Sequence, residues 1–447
     1  MSPSRRAPLA PPRPLTAAAP LLPPPALAAA EGALLASGGF GKTEALWYTP
    51  VGEALPREFV RLSPSVALEA RGAARVARVG ALSPERWPAS PPVTAAGVSA
   101  QWAALGAPAA PPLGALTGAG AALGGSALCA WSDLSADGAL LVWVPPGEEG
   151  EVRVVYTLDV PAAPAAPAAP AAPATGALTR LAARCGEGAR LTLVERFEGA
   201  EGAEGAEGAE GAEGAEAAFT AHITEVELQA GADLTYTRAQ GAPLAHLHLG
   251  AVGIALAAGA GARATLLNLG ARLARVELGV DLAGEGARAD LAGAFVGSGA
   301  RLLDQHLTLR HLAPRCESAQ RFKGLLGGIS RGVFTGRVYV APGASGTRAE
   351  QSNPNLIASE GARAVSRPQL EIYNDDVQCS HGATVGQLDE EALFYLRSRG
   401  LTRAVGERLL AEAFVGEVLE RLDDPGAQQL AAEALARALA SPEEPAQ

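Results

Sequence analysis

Residues 276–282 read Val276-Glu277-Leu278-Gly279-Val280-Asp281-Leu282. Apolar residues stand at 276, 278, 280 and 282, with polar or small ones between them. Successive side chains of a strand point to opposite faces, so this period of two predicts a strand with one apolar face. A Gly-Ala-Arg triplet flanks the run on each side, at Gly270 and Gly286. The same triplet begins at Gly188, Gly261, Gly299 and Gly361, and variants begin at Gly231, Gly343 and Gly382. Glycine supplies a turn where positive φ is needed, and the residues after it start the next strand. Further alternating runs are Leu140/Val142/Val144, Val152/Val154/Tyr156, His246-Leu247-His248-Leu249, Val338-Tyr339-Val340 and Leu370-Glu371-Ile372. No long amphipathic helix separates these strands, which argues against βαβ units. Short strands with glycine corners suit a β-solenoid or a sandwich. A shared corner unit implies stacked, similar coils and favours the solenoid.

Composition narrows the class. Lys plus Arg is 36 and Asp plus Glu is 47, giving a net charge of −11. That excludes a global basic footprint for nucleic acid. Aromatic residues are only 4%, so the core must be built from Val, Leu, Ile and Ala. The four cysteines, Cys129, Cys185, Cys316 and Cys379, form no CxxC pair, which excludes a zinc ribbon. A disulfide framework is not expected in so long a chain, and a reducing cytoplasm is the expected compartment.

Outward from the strand region, the chain changes character at both ends. Residues 1–30 read as a disordered Ala/Pro-rich tail. Arg5-Arg6 followed by apolar residues imitates a twin-arginine export signal, but eight prolines between Pro8 and Pro25 break the apolar run such a signal needs. Residues 31–135 read as helical or irregular. Within them Ala36-Ser-Gly-Gly-Phe-Gly-Lys-Thr43 imitates a phosphate loop without the preceding strand and following helix that such a loop requires. The β core is expected over 136–386, interrupted by Pro-Ala-Ala repeats at 161–174 and Glu-Gly-Ala repeats at 198–216. The first reads as an extended spacer and the second as a solvated loop.

A C-terminal helical domain is expected over 387–447. Asp389 can cap a helix with Glu390 and Glu391 in its first turn, and Gly400 stops it. Thr402 starts a second helix with Val405, Leu409, Phe414, Val418 and Leu422 at helical spacing, and residues 426–440 can form a third. Such helices either shield the last coil or dock a partner.

All six histidines follow residue 220. His246 and His248 share a strand face, as do Asp304 and His306, and as do Cys379 and His381. A thiolate and an imidazole at i, i+2 suit iron, and the same pair equally suits a surface histidine beside a buried cysteine. There is no nucleophile elbow and no HExxH, so no catalysis is expected from this chain.

The C-terminal third carries a more specific series. Phe322-Lys-Gly-Leu-Leu326, Arg331-Gly-Val-Phe-Thr-Gly336, Gln351-Ser-Asn-Pro-Asn-Leu356, Pro368-Gln-Leu-Glu-Ile-Tyr-Asn-Asp-Asp-Val-Gln-Cys-Ser-His-Gly-Ala-Thr-Val-Gly386 and Asp389-Glu-Glu-Ala-Leu-Phe-Tyr-Leu-Arg-Ser-Arg-Gly400 occur in that order. Together with Glu44, Trp47, Tyr48, Thr49 and Pro50, this resembles the SufB/SufD family of iron–sulfur cluster assembly proteins, with the Cys-Ser-His-Gly segment favouring its SufD branch. The resemblance implies a right-handed parallel β-helix between helical ends. It also implies pairing with SufB through the β-helices and docking of the ATPase SufC on the C-terminal helices, with Leu393, Phe394, Leu409 and Phe414 as candidate contacts. Iron or a nascent cluster would lie transiently at the interface with SufB, held by His381 and more weakly by Cys379. No permanently bound cofactor is expected. The alternatives are a β-helix enzyme acting on a polysaccharide, which needs converging carboxylates from among Asp304, Glu371, Asp375 and Asp376, and a purely structural partner without metal contact.

Overall fold

The computed structural model describes residues 13–14, 58–61, 65–80, scattered positions between 103 and 131, and then 138–158, 175–199, 218–243 and 246–440. Apart from Arg13–Pro14, which forms a short strand where a disordered tail was expected, the tail, the export and phosphate-loop imitations, the Trp47 element and most of both low-complexity inserts lie outside the described residues.

The described strands, in chain order, are β1 (Arg13–Pro14), β2 (Glu58–Arg61), β3 (Ser65–Gly72), β4 (Arg75–Gly80), β5 (Gly138–Val144), β6 (Glu149–Leu158), β7 (Thr175–Cys185), β8 (Arg190–Gly199), β9 (Ala218–Leu228) and β10 (Asp233–Gln240). They continue as β11 (His246–Leu256), β12 (Gly261–Asn268), β13 (Leu273–Leu282), β14 (Arg288–Gly297), β15 (Leu302–His311), β16 (Glu317–Leu326), β17 (Arg331–Val340), β18 (Thr347–Ile357), β19 (Arg363–Ile372) and β20 (Val377–Gln387). Helices α1 (Glu390–Ser398), α2 (Arg403–Leu419) and α3 (Pro425–Leu439) follow.

From β5 onward the strands alternate between two sheets, odd numbers in one and even numbers in the other, and every pairing between successive coils is parallel. This is a parallel β-solenoid. Its register is unbroken. Val142, Ala183, Val226, Ile254, Val280, Leu309, Val338 and Leu370 form one inward ladder through the odd sheet. Burying such aliphatic ladders contributes roughly 1.5–3 kcal/mol per large side chain against full exposure.

The corner triplet now has a physical account. At the turn from odd to even sheet, Gly188, Gly231, Gly259, Gly286 and Gly346 adopt positive φ. The following Ala189, Ala232, Ala260 and Ala287 are fully buried, where only a small side chain fits between coils. The next residue then opens the even strand. Arg315 takes the glycine place at one corner with φ 54°, and Cys316 takes the alanine place, buried with its Sγ 3.3 Å from the Gly284 carbonyl. Backbone N–H groups link corner to corner, as in Gly286 to the Pro314 carbonyl at 3.0 Å and Arg315 to the Ser345 carbonyl at 2.7 Å.

The two ends of the solenoid differ. Within the span expected to be helical or irregular, β3 and β4 are strands. They pair antiparallel with β6 and β5, so both edges of the first coil are covered. Residues 65–80 lacked a long apolar run because they form a cover with one face half exposed, as the alternation of half-buried Val66 and Leu68 with exposed Ala67 and Glu69 shows. At the far end, β19 and β20 have no further strand beside them among the described residues, and their residues are half-buried or exposed.

The helices do not shield that far end, contrary to one of the two expectations. They lie across the outer face of the even sheet, where Ala239, Leu267, Ala294, Val296 and Leu325 pack with Ala411, Val415, Val418, Ala431 and Leu435. Asp389 and Thr402 start α1 and α2 as the residues predict, whereas α2 ends at Leu419, before the Leu422 expected within it. The Asp389 carboxylate accepts from the Glu391 and Ala392 N–H groups at 2.9 and 3.2 Å, and Asp424 caps α3 at Ala427 N, 2.8 Å away. Asp424 also pairs with Arg153 at 2.6 Å and Arg196 at 3.1 Å, tying α3 to the even sheet.

Candidate functional site

The register places Cys379 and His381 on the inward face of β20. Leu191, Leu234, Ala262, Ala289, Ser318, Ala349 and Cys379 form one ladder, and Leu193, Tyr236, Ala264, Leu291, Gln320, Gln351 and His381 form the next. In earlier coils such positions are core. On β20 no described residue stacks above them, so His381 is exposed and Cys379 half-buried against Val338, Val340, Ala344 and Ala349. Burial pushes the Cys379 thiol up, partly offset by a backbone hydrogen bond at Ala349, so in the free chain the sulfur is protonated at neutral pH. Two donors side by side do not complete a metal site. Among the described residues no group of three or more His, Cys, Asp or Glu is arranged to hold a metal ion.

The other five histidines are set apart from this edge. His222 and His248 sit inside the first coils. His222 Nε2 donates to the Glu195 carboxylate at 2.9 Å, and its Nδ1 lies 2.6 Å from the Thr179 hydroxyl. Arg238 donates to His248 Nε2 at 2.8 Å, so the His248 Nδ1–H faces the Thr220 hydroxyl at 2.7 Å. His246 lines a cavity of about 20 Å³ beside them, room for one water. His311 is 2.9 Å from the Ser318 hydroxyl, buried in the core. His306 and Asp304 both bind Arg275 on the outer face of the odd sheet. The spacing of His246 with His248 and of Asp304 with His306 thus marks internal scaffolding.

The carboxylates that a polysaccharide enzyme would require are also separated. Asp304 is buried against Arg275, Glu371 lies 3.6 Å from Arg337, and Asp375 and Asp376 occupy the corner after β19.

Of the four candidate helix contacts, the structure leaves two accessible. Leu393 is fully buried, its Cδ1 so close to Gly406 that a Cβ there would fall at 2.7 Å, so Leu393 joins α1 to α2. Phe414 is half-buried under Lys323, whose ammonium lies 5.3 Å from the ring centre and donates to the Phe414 carbonyl at 2.8 Å. Phe394 is 71% exposed and Leu409 42%. Tyr395 and Val405 are exposed as well, at 57% and 43%. Neither was among the candidate contacts, although Val405 stood with Leu409 in the expected helical stripe. Val405 sits one turn before Leu409, and that i, i+4 spacing was the available signal.

A solenoid covered at one end, open at the other, and carrying a Cys/His pair on the open edge defines the structural class. The comparisons with known proteins agree with it. The family described as "SUF system FeS cluster assembly, SufBD core domain" matches residues 169–414, more than half of the chain. The chain therefore belongs to the SufB/SufD family of the SUF iron–sulfur cluster assembly system. It is 42% identical over 126 residues to the iron–sulfur cluster assembly protein SufD of Escherichia coli, covering 28% of this chain and 30% of that protein. It is 34% identical over 204 residues to a SufBD family protein of Synechocystis, covering 46% and 45% of the two chains. A SufBD family protein of Mycobacterium leprae is 36% identical over 141 residues, covering 30% of this chain and 36% of that one. The aligned part thus spans less than half the length of each of these relatives.

Proposed function

We propose that this chain is a non-catalytic subunit of the SUF assembly complex. Its open last coil pairs with the β-helix of SufB, and the exposed surface of α1 and α2 docks the ATPase SufC in a reducing cytoplasm. Iron, or a nascent cluster, is the cargo at the junction, held through His381 with Cys379 as a weaker second donor. The observation that supports this most directly is the uncovered edge of β19 and β20. Natural proteins protect long strand edges, and among the described residues the N-terminal end is covered by β3 and β4 while the end bearing the donor pair is not. An open edge offers backbone groups for strand addition by a partner. Iron held by two side chains of this subunit keeps positions for ligands from a second one. An exposed imidazole also suits release, which assembly requires.

The test is His381→Ala in a reconstituted complex with SufB and SufC. Cluster formation is expected to fall at least about tenfold, the usual size of losing a metal contact. The variant should keep wild-type unfolding, since the ring is exposed. Unchanged cluster formation would instead favour a purely structural partner. Co-purification addresses the pairing itself, and a chain with no affinity for either SufB or SufC refutes the proposal.

The helix surface needs a different experiment from truncation. Removing residues after Gly386 would strip Leu267, Val296 and Leu325 of their cover and destabilise the sheet. The double substitution Phe394→Glu and Leu409→Glu places charge on exposed positions instead. It is expected to weaken SufC binding about a hundredfold, the weight of two central apolar contacts, with thermal unfolding unchanged. Binding within threefold of wild type, measured by calorimetry, would remove these residues from the interface.

A further inference from the structure

We propose that Gln351 is a positioning residue for His381, acting through a ladder of amides that ends beneath the imidazole. This deepens the reading of His381 given above and rests on it. In the even sheet the inward ladder that is apolar at Leu193 and Leu291 becomes Gln320, Gln351 and His381 over the last coils. Gln320 and Gln351 are 1% and 4% exposed, on a ladder that is apolar or aromatic in every earlier coil from Leu193 to Leu291. Burying an amide costs free energy unless its hydrogen bonds are made, so two in succession need a reason.

Their bonds have one direction. The Gln351 amide Nε2 donates to Gln320 Oε1 at 3.0 Å, while Gln351 Oε1 is buried and has no partner. Parallel in-register neighbours stand about 4.8 Å apart with side chains on the same side. Amides stacked in this way pass hydrogen bonds from rung to rung, as Gln and Asn ladders do in parallel sheets. The rung after Gln351 is His381. Its ring N–H is therefore the next donor in the series, and the unpaired Gln351 Oε1 is the acceptor. The Gln351 amide is held in place from the opposite sheet as well. A Cβ at Gly336 would lie 2.3 Å from Gln351 Nε2, so glycine there makes the space the amide fills. A neighbouring set shows the contrast. Asn353 donates to the Phe322 carbonyl at 2.9 Å, and its Oδ1 accepts from Asn355 at 2.9 Å and Ser366 at 2.6 Å, so that network is closed. Only the glutamine ladder stops with an open acceptor next to the candidate ligand.

A bond from one ring nitrogen to Gln351 fixes which nitrogen carries the proton and turns the other, with its lone pair, outward. The imidazole then meets the partner in a single tautomer and orientation.

The measurement uses the full chain, labelled with 15N-histidine, in alkaline buffer. Long-range 1H–15N spectra report the tautomer, and loss of one signal set in His381→Ala assigns it. The wild type is expected to hold one tautomer. Gln351→Met, close in length and without a hydrogen bond, is expected to shift the ratio about fivefold, the worth of one net hydrogen bond. Gln351→Glu, which retains an acceptor for His381 and can itself accept from the otherwise unpaired Gln320 Nε2, should restore the bias. Gln320→Met leaves the His381 neighbour in place and frees the Gln351 amide, so it should shift the ratio in the same direction. It decides the matter if Gln351→Met does not fold. A wild-type ratio unchanged in both methionine variants overturns the proposal. Cluster assembly by the His381→Ala complex tests the iron reading separately, and the tautomer result does not depend on it.

Discussion

Acidification from pH 6.5 to pH 4 is expected to remove about 7 kcal/mol of stability from the free chain, through two buried imidazoles alone. His246 and His311 are 3% and 0% exposed, and burial pushes both rings down to about 4. Neither has a carboxylate partner to offset that cost. The sign follows directly. In the unfolded chain each ring binds a proton below about pH 6.5. In the folded chain it does not until about pH 4, so the unfolded state binds more protons throughout that window. Stability is full above pH 6.5 and is lost as pH falls, by about 1.4 kcal/mol per pH unit for each group. His222 and His248 are displaced the same way, by burial first. Glu195 opposes the displacement of His222, and the Arg238 charge adds to that of His248. His306 is also held at about 4, by burial and by Arg275. Since whole domains are stable by about 5–15 kcal/mol, the chain should unfold cooperatively before pH 4 is reached. Urea unfolding followed by circular dichroism at half-unit pH steps reads the slope. His246→Gln and His311→Gln should each flatten it by about 1.4 kcal/mol per pH unit. A denaturation midpoint unchanged from pH 7 to pH 5 would contradict the argument.

The contrast between His381 and the other five histidines bears on what the residues alone could reveal. Spacing at i, i+2 correctly puts His246 with His248, Asp304 with His306, and Cys379 with His381 on common faces. It does not say whether the next coil covers the face. That depends on where the stack ends, a long-range fact. The strands themselves were legible because alternation and a Gly-Ala corner are local. Gly286-Ala287-Arg288 encodes a left-handed turn, a buried methyl and a strand start within three residues. The same triplet at Gly261 lies within β12 and makes no corner, so the motif alone does not mark a turn. The cover formed by β3 and β4 escaped for a different reason. A strand lying on an edge buries little of its own surface, and its apolar pattern is correspondingly weak. The first two helices were legible from their caps, at Asp389 and Thr402, but not their resting place, and the Asp424 cap of α3 was not read. The outer ladder Ala239, Leu267 and Ala294 is apolar where a solvated sheet face would be polar, and that was the signal for a covering layer.

Replacing Glu195 by Leu is expected to cost about 3–5 kcal/mol, enough to leave much of the chain unfolded at moderate temperature. Glu195 is fully buried between the sheets of the first coils. Its carboxylate accepts from the hydroxyls of Tyr236 and Thr224, each at 2.7 Å, from Tyr156 at 3.2 Å, and from His222 Nε2 at 2.9 Å. Burial alone would raise its pKa. His222 and Arg238, with the Tyr236 bond, reverse this and hold the group at about 2. The ionised form is thus what the site is built for, and its contribution survives acid until well below the range in which the histidines fail. Leucine fills the space but leaves four donors without an acceptor. It also leaves the Arg238 guanidinium, stacked 4.2 Å from the Phe197 ring, without a counter-charge in the interior. Glu195→Gln keeps an oxygen but turns an amide donor toward hydroxyls that already donate, so a smaller loss of about 1–3 kcal/mol is expected. Guanidinium unfolding of the two variants beside His381→Ala separates two kinds of polar residue in one solenoid. At the covered end the acceptors are saturated by the chain's own donors, and substitution there should reduce stability. At the open end the His381 ring is exposed, and its substitution should leave stability unchanged while altering assembly. A Glu195→Leu protein within 1 kcal/mol of wild type, or a His381→Ala protein that loses stability by a comparable amount, would show that this division between the ends is wrong.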